Sequence, residues 1–378
     1  MSFRCAPPAS VITRIAELAK EDPDNDGAKA LSRTSRECEW AARPARMMNT
    51  TIYVEKASPP LSVVTTWMST NPAHRALVRH LTISERGLTL RPRPYDDSDI
   101  SPAEILALCA TFEDLRELTL NGLNITEHTP LSVPAPFGPQ STRVLSIIGS
   151  HADTTMHAVA SVATRLPGLN TLQLDGYGGE VMNVDLETIS DILGRVALPL
   201  EALRVRRCTV DQVTAVNLIL RSAVGTLRHL SIELWATPDP HYEIVGFVAI
   251  NLLPLEQLRE LDIFVPLRVD HGWYDIAAHA YPVLRMIRHA PPTIVDTHVV
   301  FWNRMDTVDA FIQALSTFPI SSLCAYLRRI PTMQKLSVRA GGSDVSPMLR
   351  DLRWMRVQRL SKAWRGALRT YGHFLELI

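Results

Sequence analysis

The sequence lacks an excess of charge of either sign, because its 39 lysine and arginine residues balance 39 aspartate and glutamate residues. Without a bulk electrostatic attraction, nucleic acid is not an expected partner of the molecule as a whole. The longest apolar run, residues 244–253, is too short to cross a bilayer. The N-terminus has no apolar core of the kind that a secretory signal requires. Neither a membrane span nor secretion is therefore expected.

Cysteine is scarce and scattered. The five cysteines stand at positions 5, 38, 109, 208 and 324, an odd number without any CxxC pair. This spacing favours neither a disulfide framework nor a structural zinc site. We therefore expect reduced thiols in a protein of the cytoplasm or nucleus, and no bound metal.

Motifs that carry catalysis are also missing: the sequence contains no GxSxG, Walker phosphate loop, HExxH or GxGxxG. The glycine-rich residues 175–179 follow a candidate strand and lack a lysine, which favours a turn. Residues 22–27 resemble the start of a calcium loop, but its twelfth position is Arg33, where a carboxylate is needed. The sequence thus predicts no catalytic residue, metal or cofactor. A hydrolase on an α/β sheet stays an alternative that requires a cleft of titratable groups.

A repeated apolar spacing is the main positive signal. Residues 200–210, LEALRVRRCTV, follow the LxxLxLxxCxL spacing of one leucine-rich repeat, and residues 115–125 have the same spacing. From residue 115 to residue 258, successive copies start 27, 27, 31, 27 and 31 residues apart. A degenerate copy at Thr142/Leu145/Ile147 lies midway between its neighbours. The apolar triplets that share the spacing are Val78/Leu81/Ile83, Leu115/Leu118/Leu120, Leu169/Leu172/Leu174, Leu200/Leu203/Val205, Leu227/Leu230/Ile232, Leu258/Leu261/Ile263 and Met333/Leu336/Val338.

Helical patterns separate these candidate strands. They cover residues 61–69, 102–110, 153–165, 184–196, 211–223 and 241–253. Because each repeat has room for one strand and one helix, the strands are expected to be parallel. The predicted fold is therefore α/β, a leucine-rich-repeat-like solenoid over residues 51–347 with a curved parallel sheet inside and helices outside.

The rhythm of the repeats blurs after residue 264. The patterns there predict a helix over 276–287, a strand over 293–301, a helix over 307–315 and a strand over 333–338, so an enlarged repeat is expected. Residues 348–371 predict one long helix within a C-terminal capping segment, 348–378. A terminal element of this kind must cover the last apolar face of a repeat stack.

The predicted C-terminal helix carries basic residues nearly every three positions. Because a three-residue step drifts around a helix of 3.6 residues per turn, they form a broad, slowly winding band. A solvated capping helix is the preferred interpretation. A patch for phosphate, an acidic partner or a membrane surface is the alternative. The basic residues are Arg350, Arg353, Arg356, Arg359, Lys362, Arg365 and Arg369.

The N-terminal 50 residues contain a short apolar helix pattern at 9–20, a polar linker and the stretch LSRTSRECEWAARPARMMNTTIYVE. This order resembles the F-box-like N-terminus of many fungal proteins, in which a serine- and arginine-containing helix with an Ala-Arg-Pro ending leads into a first strand. Here that strand is residues 51–54. The residues that carry the resemblance are Leu31, Thr34, Ser35, Arg36, Cys38, Ala42, Arg43 and Pro44.

The resemblance implies the substrate receptor of an SCF-type cullin–RING ubiquitin ligase, with a degenerate F-box-like head at residues 1–50. In that role the head binds a Skp-family adaptor, and through it a cullin complex. A leucine-rich-repeat scaffold without a ligase role, its head serving only as a cap, is the alternative. The residues expected to bind the adaptor also suit the core of a three-helix bundle, and they are Pro8, Ile12, Ile15, Leu31, Thr34 and Cys38.

Polar residues between the apolar anchors are expected to face away from the helices, on the concave side of the sheet. Their mixed charge, with an excess of arginine, suits an unknown protein target better than a uniform polyanion. Any solvated strand face needs polar residues, so this pattern also fits a surface without a partner. The residues predicted to bind a target are Arg79, Arg116, Glu117, Arg143, Arg204, Arg228, His229, Arg259 and Glu260.

Overall fold

The computed structural model describes residues 47–54, 60–85, 99–126, 138–149, 156–175, 198–208, 212–234, 249–267, 276–303, 315–341 and 362–377. The chain forms two compact units. The first comprises Met1–His151 and Arg165–Gly168, and the second comprises Ala152–Thr164 and Leu169–Ile378.

Among the described residues of the first unit, four parallel strands lie side by side in chain order, and helices precede the second and the third of them. Two short strands, β3 and β5, pair with each other separately. The elements are β1 (Asn49–Val54), α1 (Leu61–Thr70), α2 (Pro72–Arg75), β2 (His80–Glu85), β3 (Asp99–Ile100), α3 (Pro102–Cys109), β4 (Glu117–Asn121), β5 (Asn124–Ile125) and β6 (Val144–Ile148).

The described part of the second unit contains seven parallel strands in chain order, again with helices between strands. Its elements are α4 (Met156–Thr164), β7 (Thr171–Asp175), β8 (Ala202–Cys208), α5 (Val213–Ser222), β9 (His229–Leu234), β10 (Glu260–Leu267), α6 (Ile276–Arg288), β11 (Asp296–Asn303), α7 (Ile320–Leu327), β12 (Lys335–Gly341), α8 (Lys362–Tyr371) and β13 (Leu375–Leu377). The prediction of an α/β protein with parallel strands separated by helices is confirmed.

The apolar triplets lie in register across neighbouring strands. In the first unit Leu81 pairs with Leu118, which pairs with Leu145. In the second, Leu203 pairs with Leu230, as expected from the shared spacing. All five of these leucines are at most 1% exposed. Burial of one leucine side chain stabilises a fold by about 1.5–3 kcal/mol, so each repeat gains from stacking its anchors on those of the next.

The repeats lengthen toward the C-terminus, as the blurred rhythm predicts. His229 pairs with Glu260, 31 residues later. Glu260 pairs with Asp296 after 36 residues, and Asp296 with Lys335 after 39. In β11 the central anchor is Thr297, which is fully buried in register with leucines on both sides. A hydroxyl at this place explains why β11 is absent from the set of apolar triplets.

Helix α3 begins at a capping box. The Ser101 hydroxyl accepts a hydrogen bond from the Glu104 backbone N–H at 3.2 Å, and the Glu104 carboxylate accepts one from the Ser101 N–H at 3.1 Å. Pro102 occupies the first turn, where no backbone donor is needed. The predicted helix at 102–110 is therefore confirmed, and its start is fixed by a motif that the sequence shows.

The predicted helix over 241–253 is wrong for its described end, residues 249–253, which are not helical. Instead, Asn217 of α5, which is 8% exposed, holds this segment through two side-chain hydrogen bonds. Its side-chain amide donates to the Ala249 carbonyl at 3.0 Å, and its oxygen accepts from the Asn251 N–H at 2.9 Å. These bonds satisfy backbone groups that a helix would otherwise satisfy, and they leave Leu253 61% exposed.

Two elements near the C-terminus were not predicted. Helix α7 buries Ile320, Leu323, Cys324 and Leu327, an i, i+3, i+4, i+7 pattern that is visible in the sequence. Strand β13 follows α8 and pairs parallel with β12. The described part of the predicted cap is thus a helix and a strand.

In α8, Trp364 belongs to the core rather than to the basic band. It is fully buried, and its indole N–H donates to the Leu315 carbonyl at 2.7 Å. Its ring meets Phe301 edge to face at 6.1 Å between centroids. Lys362, Arg365 and Arg369 point to solvent. Among described residues, α8 therefore has one apolar and one basic side.

Candidate functional site

Each sheet has a buried face and a polar face. In β4 and β7 the residues alternate between part-exposed and buried along the strand, with the leucine anchors on the buried side. We call the side that carries the alternate, mostly polar residues the polar face. Row one consists of the residues that directly precede the long strands. Rows two, three and four consist of the first, third and fifth residues of each long strand.

In the first unit the predicted row-one arginines are brought together by backbone pairing. The Arg116 N–H donates to the Arg79 carbonyl at 2.7 Å, and the Arg143 N–H donates to the Arg116 carbonyl at 2.8 Å. Asp114 lies between two of the side chains, 3.2 Å from Arg79 and 3.7 Å from Arg116. Arg143 donates instead to the Gly168 carbonyl at 3.0 Å. These arginines therefore already have partners within the unit.

Glu117, in row two of the first unit, pairs with a histidine. Its carboxylate lies 3.1 Å from Nδ1 of His80 on the neighbouring strand β2. The hydrogen bond with His80 holds the pKa of Glu117 below its usual value, against the opposing effect of burial. His80 and Glu117 form a cross-strand pair that the sequence alone did not assign.

In the second unit the predicted residues lie on three adjacent strands and before them. The Arg228 N–H donates to the Glu201 carbonyl at 2.9 Å, and the Arg259 N–H donates to the Arg228 carbonyl at 2.8 Å. The Arg259 side chain also donates to the Thr293 carbonyl at 3.3 Å. Glu260, like Arg228 and Arg259, is exposed. The structure thus brings these predicted residues together at the edge where the strands begin.

His229 lies within hydrogen-bonding distance of a carboxylate on the neighbouring strand. Its Nε2 lies 2.9 Å from the Asp262 carboxylate on β10. Burial acts to raise the pKa of Asp262, but the hydrogen bond with His229 and the positive potential of His229, His298 and Arg339 together lower it. Asp262 is therefore held as a carboxylate at the centre of the second unit's polar face.

Row four of the second unit contains functional candidates that sequence analysis missed. Arg206 of β8 places its guanidinium carbon 3.2 Å from the ring centre of Phe264 on β10. Strand β9 lies between these two strands, and its residue in register with Phe264 is Glu233, which is 5% exposed. Phe264 is itself only 5% exposed, although it is on the polar face. Arg206 could have been found from Arg204 by the two-residue period of a strand.

The Arg206 guanidinium is held in a partly dehydrated environment. Burial lowers the pKa of Arg206, and the positive charge of Arg204 lowers it further. Glu233, Asp175 and Asp262 act in the opposite direction. The cation is retained because three carboxylates surround it, while its flat face rests on an aromatic ring.

A β-bulge next to Arg206 sets the geometry of β8. The register with β9 shifts between Val205 and Cys208, and Arg207 adopts a positive φ of 55°. That conformation is uncommon for a residue with a side chain. It leaves Arg207 bound to Asp175 on β7, with a nitrogen-to-oxygen distance of 3.0 Å. The bulge thus allows two consecutive arginines, Arg206 and Arg207, to contact residues of the same polar face.

One row places Asp262, His298 and Ser337 next to each other on β10, β11 and β12. These residue types occur in hydrolytic triads, in which the serine hydroxyl hydrogen-bonds to the histidine. Ser337 is 1% exposed, and its hydroxyl makes no hydrogen bond to His298 or to any other described residue. The nucleophile-to-base contact of a triad is therefore absent from this row.

The predicted adaptor-binding residues Pro8, Ile12, Ile15, Leu31, Thr34 and Cys38 lie outside the described residues. Within the described ranges, no three histidine, cysteine, aspartate or glutamate side chains cluster as metal ligands would. In the same ranges, no helix combines the length and the apolar character that crossing a membrane requires.

The chain matches no protein-family model, and a search of curated proteins finds no significant match.

Proposed function

We propose that this chain is a non-enzymatic interaction protein, a leucine-rich-repeat-like solenoid that binds a protein target on its polar face. The observation that carries the proposal is the second unit's polar face. Its strands are parallel and in register, and they present charged side chains in rows on one side. Side chains held by a sheet are pre-organised, which lowers the entropic cost of binding a partner.

We propose further that the chain is a substrate receptor of an SCF-type cullin–RING ubiquitin ligase. The support is the resemblance of residues 1–50 to an F-box-like head, followed by repeats. In this role the head binds the Skp-family adaptor and the polar face holds the target. The proposed adaptor contacts are apolar or small residues, among them Ile12, Ile15 and Leu31.

Affinity purification of the full chain, followed by mass spectrometry, tests this role. We expect stoichiometric recovery of a Skp-family adaptor and of a cullin. The charge-introducing variants Ile12→Asp and Leu31→Asp should abolish adaptor recovery. Arg365→Ala, on the exposed side of α8, is the control and should retain it.

Recovery of a protein target without the adaptor would contradict the ligase role and leave a repeat scaffold whose head is only a cap. Recovery of neither would contradict both proposals. The unfolding midpoint of each variant must match that of the unmodified chain, so that loss of adaptor is not confused with loss of fold.

A further inference from the structure

Some arginines of rows three and four have a described partner, and others form no salt bridge with a described residue. Arg207 pairs with Asp175, and Arg206 rests on Phe264 facing Glu233. Among the described residues, Arg204 and Arg339 form no salt bridge, and both are exposed. These two cations mark the ends of the central part of the second unit's polar face.

The carboxylates on the same rows are already occupied or covered. His229 lies 2.9 Å from Asp262, and Arg207 lies 3.0 Å from Asp175. Glu233 is only 5% exposed and faces Arg206. The charges left for a partner on these rows are therefore positive, although the chain as a whole is neutral.

We propose that the second unit's polar face binds an acidic segment of a protein partner, whose carboxylates contact Arg204 at one end and Arg339 at the other. The inference rests on the proposed function, because it names the chemistry of the target. The Arg206–Phe264 stack forms the floor beside Arg204. An arginine held on an aromatic ring keeps its N–H edge directed outward, where it can donate to a carboxylate.

The spacing of the two arginines limits the length of the segment. Arg204 is on β8 and Arg339 is on β12, so four strand spacings separate them. At about 4.8 Å for each spacing, the distance is roughly 19 Å. An extended chain rises about 3.3 Å per residue, so about six residues join two acidic side chains that reach both sites.

The residues between the two arginines favour a protein segment over a uniform polyanion. Asp262 lies between Arg204 and Arg339 and remains a carboxylate. A nucleic acid backbone carries a phosphate at every step, and one of them would lie against this carboxylate. A protein segment places a neutral or basic residue there, and so avoids the repulsion.

Short fluorescein-labelled peptides test the proposal by fluorescence polarisation at low ionic strength, with the full chain as receptor. The main probe has two glutamates separated by about five serine and glycine residues. Comparison probes carry adjacent glutamates, glutamines or lysines instead. We expect the spaced-glutamate peptide to bind tightest, and the glutamine and lysine peptides not to bind.

Charge reversal at single positions locates the site. Arg204→Glu and Arg339→Glu should each weaken binding of the spaced-glutamate peptide by roughly tenfold, because an attraction becomes a repulsion. Arg221→Glu is the matched control: it makes the same charge change on the exposed side of α5, away from the strands, and should weaken binding less than about twofold. Equal losses in all three variants would show diffuse attraction and overturn the proposal.

Other outcomes separate the possible partners. Tighter binding of single-stranded oligothymidylate, with the same dependence on Arg204 and Arg339, would make nucleic acid the partner and overturn the proposal. Failure of the unmodified chain to bind the spaced-glutamate peptide would overturn it as well. Since peptide binding does not require the adaptor, failure of the ligase role would leave this result unchanged.

The variants are expected to fold. Arg204 and Arg339 are exposed and form no salt bridge with described residues, so their unfolding midpoints should match that of the unmodified chain. In affinity purification, the double variant should lose the protein target but still recover the adaptor. Loss of both would place the defect outside the arginine pair and contradict the inference.

Discussion

Arg206 and Phe264 make contact across an intervening strand, with the guanidinium carbon 3.2 Å from the ring centre. On the intervening strand, Glu233 pairs in register with Phe264 and is 5% exposed. A β-bulge follows Val205 on the strand that carries Arg206. Contacts of this kind fix the side chains of the polar face in one conformation before a partner binds.

The Arg206–Phe264 stack should contribute to stability. Phe264→Leu keeps an apolar side chain but removes the ring, and we expect the free energy of unfolding to fall by about 1–2 kcal/mol. A double-mutant cycle with Arg206→Met, measured by urea denaturation, should give a coupling energy of about 0.5–2 kcal/mol. Arg204→Ala is the control, with a change below about 0.5 kcal/mol. A coupling energy of zero would mean that the stack adds nothing beyond packing.

Stability should depend on pH through Asp262. Its pKa is lowered in the folded chain, whereas an unfolded aspartate has a pKa of about 3.9. The stabilisation is therefore present above about pH 4 and is lost as the pH falls through the lower folded-state pKa. Asp262→Asn should be less stable than the unmodified chain at pH 7, and the difference should shrink toward pH 3. Glu260→Gln, an exposed change on the same strand, should leave the pH profile unaltered.

Asn217 should be a structural residue of the second unit. Asn217→Leu leaves the Ala249 carbonyl and the Asn251 N–H without their partner. The expected cost is about 1–3 kcal/mol of unfolding free energy, measured in guanidinium chloride. Arg221→Ala, exposed on the same helix, is the control and should change it by less than about 0.5 kcal/mol. Equal effects of the two variants would show that the bridging bonds do not matter.

The buried thiols should be unreactive in the native protein. Burial raises the pKa of Cys109, Cys208 and Cys324 to about 12, which suppresses the reactive thiolate. In a variant with Cys5 and Cys38 replaced by serine, a disulfide reagent at pH 8 should not react rapidly. Three thiols should then react after denaturation. Rapid labelling of the native variant would contradict the burial of these side chains.

The core of the fold could be predicted from the sequence because it depends on a repeated local spacing. Leu118, Leu145, Leu172, Leu203 and Leu230 recur at intervals of 27, 27, 31 and 27 residues, and each lies buried on its strand. Even the degenerate copy at 142–147 pairs in register with its neighbour. The failures are local: α7 was overlooked, and 249–253 are held by a side chain from another repeat. No local pattern shows such a bond.

The polar face could be predicted only in outline. A period of two identifies which residues leave the core, and so it places Arg204, His229 and Glu260 on one side. It does not reveal which charges neutralise each other, because that depends on side-chain reach across strands.

The sequence by itself therefore determined the strands that carry the repeated spacing, their parallel pairing and their common anchors, since a recurring spacing admits one register that buries every leucine. Only the tertiary structure decided that Arg206 lies on Phe264 and that His229 pairs with Asp262. It also decided that Arg204 and Arg339 remain exposed without a salt bridge among the described residues. The physical reason is that these contacts join residues about 30 or more positions apart, and a single shift at the bulge in β8 changes which partners meet.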